Sequence, residues 1–181
     1  HPELQPLADP AAAITPENTR PMNTWLKAHP RIRKALVIAL ELLLIAAVYF
    51  GVRAWMQRDM PSGMAPPLAG TSVEGETLRL ADYRGEPVLL HFWASWCGIC
   101  RLEQGSIQDI HQDWPVLTVA MQSGDAREVA EHLRAEGLDW TVLLDEDGEL
   151  ARRFGVRGVP TTFVIDGDGA IRFRESGDTT E

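Results

Sequence analysis

Between Ala35 and Met56 about 22 residues run almost without a polar interruption, opening as ALVIALELLLIAAVYF. At ~1.5 Å of rise per residue, such a run coiled as a helix crosses a hydrocarbon core of ~30 Å. The length predicts one transmembrane helix over 35–56. Five basic side chains and no acid lie between residues 20 and 34 (Arg20, Lys27, Arg31, Arg33, Lys34). Short flanks rich in Lys and Arg stay in the cytoplasm, so residues after about 57 are expected outside a bacterial inner membrane, in the periplasm. A cleaved signal peptide needs a shorter apolar stretch and a small-x-small exit, and Val52-Arg53-Ala54 fits that poorly. A buried core helix of a soluble protein needs a polar face, and only Glu41 interrupts the run. If ionised near mid-membrane, Glu41 costs ~2.5 kcal/mol or more; it reads as a tolerated defect in a single-pass anchor.

The chain on either side of this run differs from it in kind. Residues 1–21 are rich in Pro and Ala and without periodicity, so 1–34 is expected to be a disordered N-terminus ending in the basic cytoplasmic flank. Met22, just ahead of that flank, is a candidate natural start. Met60-Pro-Ser-Gly-Met-Ala-Pro-Pro67 reads as an extended linker, which assigns 57–70 to a linker and 71–181 to a folded domain. A chain of 181 residues that is 45% hydrophobic and 24% charged excludes long disorder and a collagen-like repeat. Residues 61–181 hold ten Arg against twenty-one Asp and Glu, a balance that does not suit nucleic acid.

Within 71–181, strand and helix patterns alternate. Thr77–Leu80 is a short alternating strand, and Val88–Trp93 is a nearly continuous apolar run of the kind a buried central strand needs. Ile107, Ile110 and Trp114 recur at helical spacing, and Val116–Met121 is a further strand. Ala126, Val129, Ala130 and Leu133 form an amphipathic stripe between an Asp125 cap and Gly137. Val142–Leu144 is a strand, Glu149–Phe154 a short helix, and Thr162–Ile165 with Ala170–Phe173 a hairpin around Asp166-Gly-Asp-Gly169. The pattern predicts an α/β sandwich with a central mixed β-sheet behind a single N-terminal transmembrane helix.

Both cysteines of the chain, Cys97 and Cys100, stand where the central strand gives way to a helix. Two cysteines exclude a disulfide-stapled scaffold and a four-cysteine zinc site. A helix N-terminus offers unpaired N–H groups and the positive end of the dipole, which stabilise a thiolate on Cys97 and lower its pKa from the usual ~8.5. One turn on, Cys100 reaches the Cys97 sulfur and resolves a mixed disulfide. A static disulfide, two buried thiols, or a Cu(I) site on both thiolates are the competing readings. Glu103 is in register with Ile107, Ile110 and Trp114, which puts it on the inward stripe beneath the cysteines. A carboxyl there is expected to have a raised pKa and to exchange protons with Cys100; otherwise it is a first-turn acid favoured only by the dipole. Asp145-Glu-Asp-Gly148 lacks the ligand spacing of a calcium loop, and His29, His111 and His132 are isolated and read as solvated.

Phe92-Trp-Ala-Ser-Trp-Cys97-Gly-Ile-Cys100-Arg101, with Gly158-Val-Pro160-Thr-Thr-Phe163 sixty residues after Cys100, resembles the thioredoxin-like superfamily. With the anchor and the Arg84-Gly-Glu-Pro87 lead-in, the chain resembles membrane-anchored TlpA-like and ResA-like thiol-disulfide oxidoreductases. Cys-Arg-Leu-Glu-Gln and Leu117-Thr-Val-Ala-Met-Gln-Ser-Gly124 look closest to the suppressor-of-copper-sensitivity D group, which carries the expectation of a role in copper tolerance. The resemblance implies that Pro160 is a cis proline facing the cysteines, leaving the Val159 backbone to pair with a substrate strand. It implies a substrate-binding rim of Trp96, Gly98, Ile99, Val159 and Pro160. Glu103 matches the acidic residue of ResA-like active sites, and His91 takes the place of a buried acid of thioredoxins, as a proton relay or a satisfied core histidine.

Gly105 stands where relatives often have a helix-kinking proline, and the final helix that normally covers the sheet is expected to be missing. The implied activity is exchange of disulfides with substrate proteins that carry cysteine pairs, through the Cys97/Cys100 dithiol and without a cofactor or metal. Electrons are expected from a membrane disulfide reductase of the DsbD or ScsB kind. The motif allows reduction or oxidation, and the anchored resemblance favours reduction. The alternative outside enzymology, a Cu(I)-binding module, lacks a Met or His cluster beside Cys97.

Overall fold

The computed structural model describes residues 30–177, so the expectations placed on 1–29, including Met22, His29, Arg20 and Lys27, lie outside the described residues. Helix α1 spans Pro30–Gln57 and begins ahead of the predicted 35. Proline is pre-set for a first helical position, where its missing N–H is not needed, and Arg31, Arg33 and Lys34 are good helix formers. Among the described residues, Arg31–Gln57 is the helix long and apolar enough to cross a membrane, with a mean hydropathy of 2.5 in its most apolar window. The chain up to Val48 and the chain from Tyr49 onward form two separate units.

After α1 come three short strands, β1 (Gly63–Met64), β2 (Ala69–Thr71) and β3 (Thr77–Arg79), and a 3-10 turn over Leu80–Tyr83. The rest of the fold is β4 (Val88–Trp93), α2 (Gly98–Asp113), β5 (Val116–Met121), α3 (Ala126–Glu136), β6 (Thr141–Asp145), α4 (Glu149–Arg153), β7 (Thr161–Ile165) and β8 (Ala170–Ser176). Six strands make one sheet in the order β1-β8-β7-β4-β5-β6, while β2 and β3 form a separate ribbon. Strands β4, β5 and β6 are parallel, β7 pairs antiparallel with β4, and β8 pairs antiparallel with the far side of β7. This is the expected α/β sandwich around a mixed sheet.

Alternation along β4 builds both cores at once. Leu90 and Phe92 join Phe154 and Phe163 on one face, with ring centroids of Phe92 at 5.6 Å and 6.0 Å from the other two. Leu89 and Trp93 turn to the other face, where Cys97, Cys100, Ile107, Val129, Leu133 and Trp140 pack. A strand buried on both faces has to be largely apolar, which is why Val88–Trp93 reads as an apolar run broken by His91 alone.

Three sequence expectations need correction. The linker assigned to 57–70 is part of the domain from Met60 onward: Met60 and Leu68 are buried, and Gly63 and Met64 pair with Ile171 and Ala170 of β8. Prolines 61, 66 and 67 remove hydrogen-bond donors, yet an edge strand does not need them all, and Met60 and Leu68, which flank the prolines, fill the core. Trp114, expected on the inward stripe of α2, is exposed. Pro115 disfavours helical geometry at the residue before it, and Trp114 has extended φ −136° and ends the helix. His111 and His132 are not solvated singletons: His132 stacks on Trp93 at 5.4 Å between ring centroids, and His111 Nε2 lies 4.0 Å from Asp139.

Candidate active site

The two cysteines are delivered by the end of β4 and the first turn of α2. The Cys97 N–H donates to the Ala94 carbonyl at 3.1 Å, turning the chain out of the strand. Cys97 is then the N-cap of α2, with extended φ −87° and ψ 108°, and its Sγ accepts the Cys100 N–H at 3.1 Å. A sulfur in this position takes the place of a capping oxygen at the positive end of a 16-residue helix, an environment that favours its thiolate when the pair is reduced. Here the pair is a disulfide with Cα atoms 5.3 Å apart. Cys97 is 8% exposed and Cys100 2%, so the first sulfur is the more accessible.

Facing them is the loop before β7. The Val159–Pro160 bond is cis, and the Val159 carbonyl oxygen lies 3.6 Å from Cys97 Sγ. Thr161 Oγ1 donates to the Gly158 carbonyl at 2.8 Å, and the Gly177 N–H reaches the Pro160 carbonyl at 2.9 Å, which pins both ends of the loop. Trp96, 61% exposed, and Ile99 form an apolar rim beside Cys97, and Gly98 opens the helix with free space where a Cβ would be. Leu102, one turn beyond Ile99, extends that rim and was not singled out from the sequence.

Glu103 is buried, 5% exposed, on α2 one turn after Cys100. With Ser106, Ile107, Ile110, Thr162 and Phe173 it lines a cleft of about 710 Å³ between α2 and the β7–β8 side of the sheet. Gly105 lies mid-helix with open space on its side-chain side, and α2 continues through it. His91 is buried in β4, directly across from Thr162 of β7, and its Nδ1 is 3.0 Å from Thr162 Oγ1. Burial pushes its pKa down to about 4, so the ring is neutral at pH 7. Its described neighbours are Thr162 and the Trp140 ring, at 6.2 Å between centroids, rather than the cysteines.

Besides Leu102, two residues of the site were not assigned from the sequence. Gln122, just after β5, accepts the Trp96 indole N–H on its carbonyl at 3.0 Å, and Ser123 Oγ accepts the Ser95 N–H at 3.0 Å. Their signal was positional: β5 is the parallel neighbour of β4, and groups at the carboxyl ends of adjacent parallel strands converge on one site. Asp145 has a structural task, its two carboxylate oxygens accepting the Leu150 and Ala151 N–H groups at 2.9 Å and 3.0 Å to start α4. No group of three or more His, Cys, Asp and Glu able to hold a metal occurs among the described residues.

This architecture recurs in known proteins. The chain is 34% identical over 161 residues to the thiol:disulfide interchange protein DsbE of Escherichia coli K12, covering 81% of this chain and 86% of that one. It is 31% identical over 121 residues to the thiol-disulfide oxidoreductase ResA of Bacillus thuringiensis, covering 65% of this chain and 70% of the relative. The crystal structure of StoA from Bacillus subtilis superposes with a TM-score of 0.56 at 27% identity, over 66% of this chain and 93% of StoA. The profile of the AhpC/TSA family matches residues 61–174. Since that match takes in both cores, the cysteine pair and the Val159–Pro160 loop, the chain belongs to the AhpC/TSA family, with thiol-disulfide oxidoreductases of the ResA and DsbE type as its homologues.

Proposed function

We propose that this protein is a membrane-anchored thiol-disulfide oxidoreductase whose domain lies on the periplasmic side and reduces disulfides in substrate proteins. The observation that carries the reading is Cys97 Sγ capping α2 by accepting the Cys100 N–H at 3.1 Å. That contact stabilises negative charge on the outer sulfur and keeps the second cysteine within bonding reach of it.

The cycle follows from these positions. The Cys97 thiolate attacks one sulfur of a substrate disulfide, and the other substrate sulfur leaves as a thiolate that takes up a proton. Cys100, deprotonated, then attacks Cys97 Sγ; the Cys97–Cys100 disulfide forms and the second substrate thiol is released. The substrate gains two electrons and two protons, and the domain is left oxidised, as seen here. A membrane disulfide reductase of the DsbD or ScsB kind then reduces the Cys97–Cys100 disulfide and restores the dithiol. Glu103, buried one turn beyond Cys100, supplies a carboxyl to move the Cys100 proton. Val159, with its carbonyl 3.6 Å from Cys97 Sγ, offers backbone to a substrate strand.

Trapping tests the order of the two cysteines. Cys100→Ser in the full chain is expected to accumulate mixed disulfides with substrate proteins on non-reducing gels, and Cys97→Ser few. The opposite pattern overturns the assignment.

A further inference from the structure

We infer that the β5–α3 turn, Gln122–Gly124, is a positioning element for the reaction: it clamps Ser95 and Trp96 from outside, and Gln122 acts through its main chain. This inference rests on Cys97 being the attacking thiol. Gln122 is the non-glycine residue with positive φ among the described residues, at 47°. That conformation disfavours residues with a Cβ and persists where surrounding contacts over-determine it. The contacts are present on both sides of the peptide. The Gln122 N–H donates to the Asp145 carbonyl at 2.8 Å, and its carbonyl accepts the Trp96 indole N–H at 3.0 Å. The next residue holds the neighbouring peptide: Ser123 Oγ accepts the Ser95 N–H at 3.0 Å and donates to the Met121 carbonyl at 3.1 Å. Gly124, at φ 91°, completes the turn into the Asp125 cap of α3.

The consequence falls on Trp96. It is an exposed indole next to the attacking sulfur, and an exposed side chain ordinarily samples several rotamers. Tied at its N–H to the carbonyl of a residue in the left-handed conformation, the ring of the residue preceding Cys97 is held in one orientation. A protein substrate laid across that face meets a pre-ordered apolar platform, whereas a small disulfide needs only the sulfur. The substrates favoured by the clamp are therefore disulfides flanked by apolar side chains of a polypeptide.

The test compares reduction of insulin with reduction of glutathione disulfide by the full chain in detergent, and follows solvent exchange of the Trp96 indole N–H by ¹⁵N NMR, assigned by its absence in Trp96→Phe. A β-branched residue resists positive φ, so Gln122→Val is expected to lower the insulin-to-glutathione rate ratio about tenfold and to speed indole exchange. Gln122→Gly adopts the same turn without a Cβ and is expected to restore both readouts to wild type. In a double-mutant cycle, Trp96→Phe lowers the ratio by itself and Gln122→Val adds nothing to it. An unchanged ratio and unchanged indole exchange in Gln122→Val overturn the clamp, as does a Gln122→Gly variant as impaired as Gln122→Val, which places the effect in the side chain. Should Gln122→Val fail to fold, Ser123→Ala, which removes the acceptor of the Ser95 N–H, is expected to lower the same ratio, and an unaltered ratio overturns the inference. A wild-type chain that reduces neither disulfide ends the functional reading, while the indole comparison still decides the clamp.

Discussion

His91 sits in the middle of the central strand with its ring closed off from solvent and its Nδ1 against the Thr162 hydroxyl at 3.0 Å. Charging it inside the protein removes the solvation the imidazolium has in water, hence its pKa of about 4 against 6.5 for an ordinary histidine. As pH falls from about 6.5 toward 4, the unfolded chain takes up a proton there that the folded chain does not, so stability falls over that window and is complete above it. The loss attributable to this one group is up to about 3 kcal/mol. Urea unfolding at steps between pH 7 and 4 is expected to show a shallower decline for His91→Asn, which keeps a hydrogen-bonding side chain for Thr162 without a titrating ring. Equal slopes in the two proteins remove His91 as the source.

At the scale of elements, α3 shows how a helix is held in place beside the site. Asp125 accepts the Glu128 N–H at 2.9 Å, Glu128 returns a bond to the Asp125 N–H at 2.9 Å, and Gly137 closes the far end at φ 70°. Loss of such a cap costs about 1 kcal/mol. Asp125→Ala is expected to lower the urea midpoint accordingly, with no change in the steepness of the transition. A Cβ at Gly124 collides with the Glu128 carboxylate, so the glycine serves the cap as well as the turn. The Asp125 cap and the Gly137 stop were readable from the sequence because the bonds they make are local to the one helix; the returning bond from Glu128 was not assigned there. The Gln122 and Ser123 contacts with Trp96 and Ser95 were not: they span 26 and 28 residues, and the first uses a carbonyl that every residue type carries.

At the scale of the whole molecule, the proposed orientation rests on the charge asymmetry across the apolar run, with Arg31, Arg33 and Lys34 at its start. A reporter active only in the cytoplasm, fused after Phe173, is expected to be silent, and strong cytoplasmic activity removes the topology together with the periplasmic role.

The long apolar helix, the alternation of strands and helices and the Cys97–Cys100 pair were open to reading from the sequence because each depends on interactions close along the chain. A hydrophobic period, an apolar length and an i to i+3 spacing survive without knowledge of the fold. Tertiary structure alone decided what depends on distant partners. It drew Met60 and Leu68 into the core from a stretch that composition assigns to a linker, since burial is a property of the cavity a residue fills. It set His91 across from Thr162 and brought the Val159 carbonyl to 3.6 Å from Cys97, contacts fixed by strand register and by a loop 62 residues away.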